Sequence, residues 1–230
     1  MTPASPRRRA DPGLRLVVVE LFSSEGCSSC PPAEALLSRL VQEQPIEGAH
    51  LVGLELHVDY WDDLGWKDPF SRAEFTGRQR RYAERAGRRG AFTPEAVVGG
   101  RYSTLGSDRA DVLDAIRRSL RDEWLGLALR PGEEPGTLMV ALEATPSRRA
   151  RLELFVSERG LSSTPSRGEN RGVVLRHAPV VRHAAEVADR ALAGEVPVVV
   201  PPAFRGDRFD STVILRDDET LAILGAARLT

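Results

Sequence analysis

Cys27 and Cys30 are the only thiols in this chain of 230 residues, and two residues separate them. At this spacing the two sulfur atoms can form a disulfide with little movement of the backbone. Such a bridge closes so short a loop that it removes little entropy from the unfolded chain, so it would add little stability. Two cysteines alone also fall short of a four-cysteine zinc site. The pattern therefore favours thiol reactivity over a structural role.

The residues around the two cysteines predict a different role for each. An apolar strand ends at Phe22, and Pro31-Pro32 opens a helix. Cys27 would lie where the helix dipole and free N–H groups favour a thiolate, so we expect it to be the nucleophile. Cys30, deeper in the first turn, would resolve a mixed disulfide. The alternative is a reduced, inert pair packed in the core.

Glu20 is an acidic residue within the apolar run from Leu14 to Phe22, which leads into the cysteines. Burial would raise its pKa towards the range useful for proton transfer, so Glu20 is a candidate acceptor for the proton of Cys30. The alternative is that Glu20 faces solvent at a sheet margin.

A second strand is predicted from His50 to Val58, which gives a strand–helix–strand unit with parallel strands. The carboxyl ends of both strands open on one edge, so His57, Asp59 and Trp61 should lie near the cysteines. Two thiolates and an imidazole would suit copper(I) or zinc(II), although the spacing matches no known metal signature. Trp61 and Trp66 could line a groove for a substrate or form a small satellite core. His177 and His183 indicate no ligand pair.

Composition excludes several classes of partner. The chain has 32 basic and 33 acidic residues, so its charge gives no reason to expect nucleic acid or an acidic membrane as partner. No apolar run approaches the roughly 20 residues that span a bilayer. The basic N-terminus lacks the hydrophobic stretch of a signal peptide. We therefore expect a cytoplasmic protein as the sequence is written, or a periplasmic or secreted one if translation starts upstream.

The order of elements predicts an α/β unit over residues 12–123, preceded by a disordered tail over residues 1–11. A polar and aromatic segment over about 60–90 reads as a helical insertion. Composition shifts most strongly at the Pro- and Gly-rich segment 131–136, and short β-like runs follow it. This spacing predicts a β-rich, sandwich-like domain over residues 124–230.

Three motifs resemble those of a family of uncharacterised bacterial thioredoxin-like proteins, known as a domain of unknown function. They are ELFSSEGCSSCPPAE at residues 20–34, HVDYWDDLGW at 57–66 and FTPEAVV at 92–98, with further likeness at GENRG, 168–172, and ILGA, 223–226. Many members of that family are exported. The chain lacks the Trp-Cys-Gly-Pro-Cys motif of thioredoxins themselves.

The resemblance implies a thioredoxin-like domain in which Thr93 precedes a cis Pro94 and presents its backbone to an extended substrate. The function expected is thiol–disulfide oxidoreduction on a protein client or small thiol, with no organic cofactor and no resident metal. Two alternatives stay open: a dithiol carrier of copper or for haem maturation, and a non-enzymatic binding module whose cysteines sense redox state.

Overall fold

The structure is a computed structural model that describes residues 14–188 and 195–229. The expected tail over residues 1–11 lies outside this range. Within it the fold is mixed α/β, with three α-helices and a large mixed sheet. The helices are α1 (Pro31–Glu43), α2 (Ala73–Arg85) and α3 (Arg109–Ser119). The strands are β1 (Arg15–Ser23), β2 (Ala49–His57), β3 (Glu95–Val98), β4 (Tyr102–Leu105), β5 (Leu127–Pro131), β6 (Thr137–Leu142), β7 (Ala150–Glu158), β8 (Ser162–Ser163), β9 (Leu175–Arg176), β10 (Val180–Ala188), β11 (Glu195–Val199), β12 (Phe209–Asp217) and β13 (Ile223–Leu229).

The strand–helix–strand unit has the parallel pairing expected from the sequence. β1 and β2 are parallel along their whole length, from Arg15 opposite Ala49 to Ser23 opposite His57. β3 then pairs antiparallel with β1 on the other side, and β4 pairs with β3 across a turn at Gly99 and Gly100. Both glycines have positive φ, which explains why glycine suits this turn.

The helices cover both faces of this part of the sheet. Alternate residues of β1 contribute to two apolar cores because successive side chains of a strand point to opposite faces. One core contains Val17, Val19 and Leu21 with residues of α1 and α3, and the other contains Val18 and Phe22 with residues of α2. The predicted insertion at about 60–90 contains a short 3₁₀ turn and α2.

The C-terminal half is β-rich, as expected, but its longest strands extend the same sheet. The strand order is β13-β12-β7-β10-β2-β1-β3-β4, and β10 joins β2 in parallel at Val180 and Glu55. A separate three-stranded sheet, β11-β6-β5, shares an apolar core with β7 and β12. The division into two domains at residues 123/124 stays a prediction. No helix in the described ranges is long and apolar enough to cross a membrane.

Candidate active site

The two cysteines lie in a tight turn between β1 and α1. The N–H of Cys30 donates to the carbonyl of Cys27 (3.2 Å), and α1 begins at Pro31 with Cys30 as its N-cap. Cys30 therefore precedes the helix, which corrects the expectation that it lies within the first turn. Both residues are free thiols, Cys27 is 1% and Cys30 0% exposed, and Ser28 and Ser29 between them are exposed.

Two hydroxyl groups lie beside the sulfur of Cys27. The Thr93 hydroxyl donates to Cys27 Sγ (3.2 Å), and Ser29 Oγ lies 3.3 Å from the same sulfur. Thr93 Oγ1 also accepts a hydrogen bond from the indole N–H of Trp61 (2.9 Å). Because a hydroxyl carries one proton, acceptance from Trp61 leaves that proton for the sulfur. The segments around residues 27, 61 and 93 thus meet as expected, and the Thr93–Pro94 bond is cis.

These contacts favour the thiolate form of Cys27 and the thiol form of Cys30. A hydrogen bond from Cys30, with others from Ser29 and Thr93, lowers the pKa of Cys27 to about 6 although burial opposes this. Burial, together with Cys27, raises the pKa of Cys30 well above its usual value, and the contact with Ser23 only partly offsets this. The geometry separates a nucleophilic sulfur from a protonated one at neutral pH.

A loop from the C-terminal half holds the cysteine turn in place. The side-chain amide of Asn170 donates to the carbonyls of Glu25 (2.9 Å) and Cys27 (3.0 Å), and Asn170 is buried. The carboxylate of Glu169 accepts a hydrogen bond from the Ser28 N–H (2.9 Å). Sequence reasoning did not assign a role to either residue, although both lie in the GENRG motif.

Two acidic residues proposed for the site form their hydrogen bonds elsewhere. Glu20 is fully buried, but its carboxylate accepts hydrogen bonds from Arg78 and from the hydroxyl of Tyr82 (2.6 Å), both on α2. Asp59 accepts a hydrogen bond from the Thr76 hydroxyl, which is also on α2. The structure brings neither acid into hydrogen-bonding contact with the cysteines.

Trp66 donates its indole N–H to Glu25 Oε2 (2.7 Å) and is half-buried. It therefore borders the cysteine turn through Glu25 rather than through the sulfur atoms.

His57 belongs to a second buried cluster, which contains neither cysteine. Its ring nitrogens lie 2.6 Å from Asp68 Oδ2 and from Glu55 Oε1. His177 lies beside it, with a ring-centroid separation of 5.2 Å. Although burial opposes the charged form, Asp68 and Glu55 raise the pKa of His57 to about 10, and Glu25, Glu34 and Glu55 raise that of His177 to about 12.

The ligand set of two thiolates and an imidazole is not assembled in the described ranges, because the group there that could hold a metal is Glu34, Glu55, His57 and His177. His183 stacks on Phe204 and is not one of these four residues. The pairing of His177 with His57 was missed. One signal existed: Glu55 is an acid within an apolar strand, as Glu20 is.

Comparison with known proteins places the chain among relatives without an assigned role. A crystal structure of protein AGR_C_4864 from Agrobacterium tumefaciens is similar over 96% of each chain, with 28% identity and a TM-score of 0.72. No curated protein matches the chain. A family model described as "Protein of unknown function (DUF1223)" matches residues 18–216. The chain therefore belongs to the DUF1223 family.

Proposed function

We propose that this protein is a thiol–disulfide oxidoreductase built on a thioredoxin-like unit. The observation that carries the proposal is the hydrogen bond from Thr93 to Cys27 Sγ, directed by Trp61. An inert buried cysteine gains nothing from a donor oriented in this way, whereas a nucleophile needs its thiolate stabilised.

The topology supports the thioredoxin-like interpretation. Two parallel strands, β1 and β2, flank the helix that follows the cysteines, and an antiparallel hairpin and α3 complete the unit. α1 and α3 share one core and α2 contributes to the other. A cis proline beside the cysteine pair also agrees with the resemblance noted in the sequence.

The proposed reaction has two exchanges. The Cys27 thiolate attacks one sulfur of a client disulfide, forms a mixed disulfide and releases the other client sulfur as a thiolate, which takes a proton from solvent. Cys30 then loses its proton and attacks Cys27 Sγ, which forms the Cys27–Cys30 disulfide and releases the second client thiolate. The client gains two electrons and the dithiol loses two. The reverse sequence oxidises a client dithiol.

Stabilisation of the Cys27 thiolate favours the reduced form of the protein. The couple should therefore be more oxidising than that of thioredoxin, for which the potential is about −270 mV. A client approaches where Ser28 and Ser29 are exposed, because both cysteines are buried behind them.

The test uses oxidised glutathione that carries two self-quenching fluorophores. The reduced wild-type protein should cleave this probe, and the fluorescence of the solution should rise as the two labels separate. The Cys30→Ser variant should instead accumulate a mixed disulfide with one labelled glutathione, visible by intact-mass spectrometry. Cys27→Ser is the matched control and should form none. The proposal is refuted if the wild-type protein cleaves the probe no faster than Cys27→Ser does.

A further inference from the structure

A buried cluster of carboxylates and histidines lies below the cysteine turn and is not used by the thiol chemistry. Its members are Glu34 on α1, Glu55 and His57 on β2, and His177 just before β10. Each offers one ligand atom, and these atoms all lie within 4.8 Å of one another. All four residues are buried. Three separate segments of the chain therefore direct nitrogen and oxygen donors to one enclosed point.

Both histidines are oriented by a carboxylate on the outside of the cluster. Asp68 Oδ2 lies 2.6 Å from His57 Nδ1, and Glu25 Oε1 lies 3.2 Å from His177 Nε2. The inner nitrogens, His57 Nε2 and His177 Nδ1, both face Glu55 Oε1, at 2.6 Å and 3.1 Å. An outer carboxylate that fixes the ring while the other nitrogen faces inward is the arrangement found around metal-bound histidines.

The ionisable side chains of this region are mostly acidic. Four carboxylates (Glu25, Glu34, Glu55 and Asp68) surround two histidines, so acidic groups outnumber basic ones by two. No arginine or lysine in the described ranges forms an ion pair with these acids, whose only cationic partners are the two histidines. Buried carboxylates are costly unless they are paired, and a divalent ion would take the place of the inner protons that the two imidazoles lose on ligation.

Two carboxylate oxygens are also left without a hydrogen-bond donor. Oε2 of Glu34 and Oε2 of Glu55 have no hydrogen-bond partner although both side chains are buried. Glu34 Oε2 lies 3.3 Å from His177 Nδ1, so it points into the cluster. Its other oxygen, Oε1, accepts a hydrogen bond from Ser23 (2.5 Å). Unpartnered buried acceptors are rare because each loses its water without compensation.

We propose that Glu34, Glu55, His57 and His177 bind one divalent transition-metal ion of the zinc class. Zinc takes nitrogen and carboxylate oxygen donors at about 2.0–2.2 Å, so neighbouring donors of a tetrahedron lie roughly 3.3–3.5 Å apart. The distances from His177 Nδ1 to Glu34 Oε2 (3.3 Å) and Glu55 Oε1 (3.1 Å) are close to this spacing. The 2.6 Å contact between His57 Nε2 and Glu55 Oε1 would have to open, and ligand atoms that lie up to 4.8 Å apart would have to move closer.

Four protein donors leave no open position, so the ion would be structural. It would join α1, which begins next to the cysteines, to β2 and to the segment before β10. This proposal goes beyond the oxidoreductase function and does not depend on it.

The test uses the full chain with Cys27→Ser and Cys30→Ser, so that no thiol can bind the metal. The protein is stripped with a chelator, dialysed and titrated with zinc chloride by calorimetry, and bound zinc is counted by elemental analysis after gel filtration. We expect one equivalent of zinc and a higher melting temperature, because a ligand that binds only the folded state stabilises it. Absence of stoichiometric zinc in this cysteine-free protein overturns the proposal.

Matched histidine variants assign the bound ion to the cluster. In the cysteine-free chain, His177→Gln should abolish stoichiometric binding, whereas His183→Gln, outside the cluster, should leave it unchanged. Asp68→Asn, which replaces the outer carboxylate of His57 and leaves the four proposed ligands in place, should weaken binding about 10- to 100-fold. If a folded His177→Gln variant keeps full affinity for zinc, the ion is not bound by this cluster and the assignment is overturned. If that variant does not fold, unchanged zinc affinity in Asp68→Asn overturns the assignment instead.

Discussion

The hydroxyl of Thr93 supplies the most direct test of how the structure lowers the pKa of Cys27. Thr93→Val keeps the shape of the side chain and removes the donor to Cys27 Sγ. A hydrogen bond to a charged group contributes about 1.5–3 kcal/mol. At 1.36 kcal/mol per pKa unit, its loss should raise the pKa of Cys27 by about 1–2 units. The pKa should therefore move from about 6 to roughly 7–8.

The expected rise in the pKa of Cys27 can be measured as a loss of thiolate. A higher pKa means less thiolate at a given pH, so at pH 7 the ionised fraction of Cys27 should fall from roughly nine-tenths to between a half and a tenth. Thiolate absorbance near 240 nm, followed from pH 4 to pH 9, measures ionisation directly. It is preferable to alkylation rates because Cys27 is only 1% exposed and the rates would also report access.

Thr104→Val is the matched control for this titration. Thr104 lies on β4, and its hydroxyl has no hydrogen-bond partner in the described part of the chain. This variant should titrate as the wild-type protein does. If Thr93→Val also titrates as the wild type does, or if the wild-type thiol titrates near 9, the hydrogen bond does not set the reactivity and the reasoning fails.

Two further substitutions test how the site is held. Asn170→Ala removes the side-chain donor to the Glu25 carbonyl and one of the two donors to the Cys27 carbonyl. It should lower the free energy of unfolding by about 1–3 kcal/mol in urea, with a smaller effect for Glu169→Ala at the exposed neighbour. Equal losses in the two variants would contradict the anchoring role of Asn170. Glu20→Gln breaks a buried ion pair with Arg78, and since Arg78 keeps Glu153, the loss should lie near the lower end of the usual 3–5 kcal/mol. The Glu20→Gln variant should show the same pH profile of thiol–disulfide exchange as the wild-type protein. An altered profile would restore Glu20 as the proton acceptor for Cys30.

Local patterns in the sequence predicted much of the N-terminal half. β1, α1, β2, α2 and the hairpin after Pro94 follow from apolar spacing, prolines and paired glycines over short distances. The site segments also meet because parallel strands end on one edge. The position of β10 beside β2 could not be predicted in the same way, since the two strands meet at Glu55 and Val180, far apart in the chain. The same separation concealed the contact of His177 with Glu25 and Glu55.

The positions of Glu20 and Glu55 show why strand alternation alone could not predict which face of the sheet each acid occupies. β1 is apolar on both faces, so its sequence does not reveal which face α1 covers. The strand register shows which face each acid occupies. Glu55 is opposite Leu21, which packs with α1, so Glu55 lies on the α1 face of the sheet. Glu20 is bonded to Arg78 and lies on the α2 face.

Ser23, opposite His57, shares the face that α1 covers and donates to Glu34 as well as contacting Cys30. Ser23 therefore links Cys30 to Glu34 of the carboxylate–histidine cluster. The structure offers no corresponding contact between Cys30 and Glu20 in the described ranges. Glu34 on α1, rather than Glu20 on β1, is therefore the acid that is linked to Cys30 by hydrogen-bonding contacts.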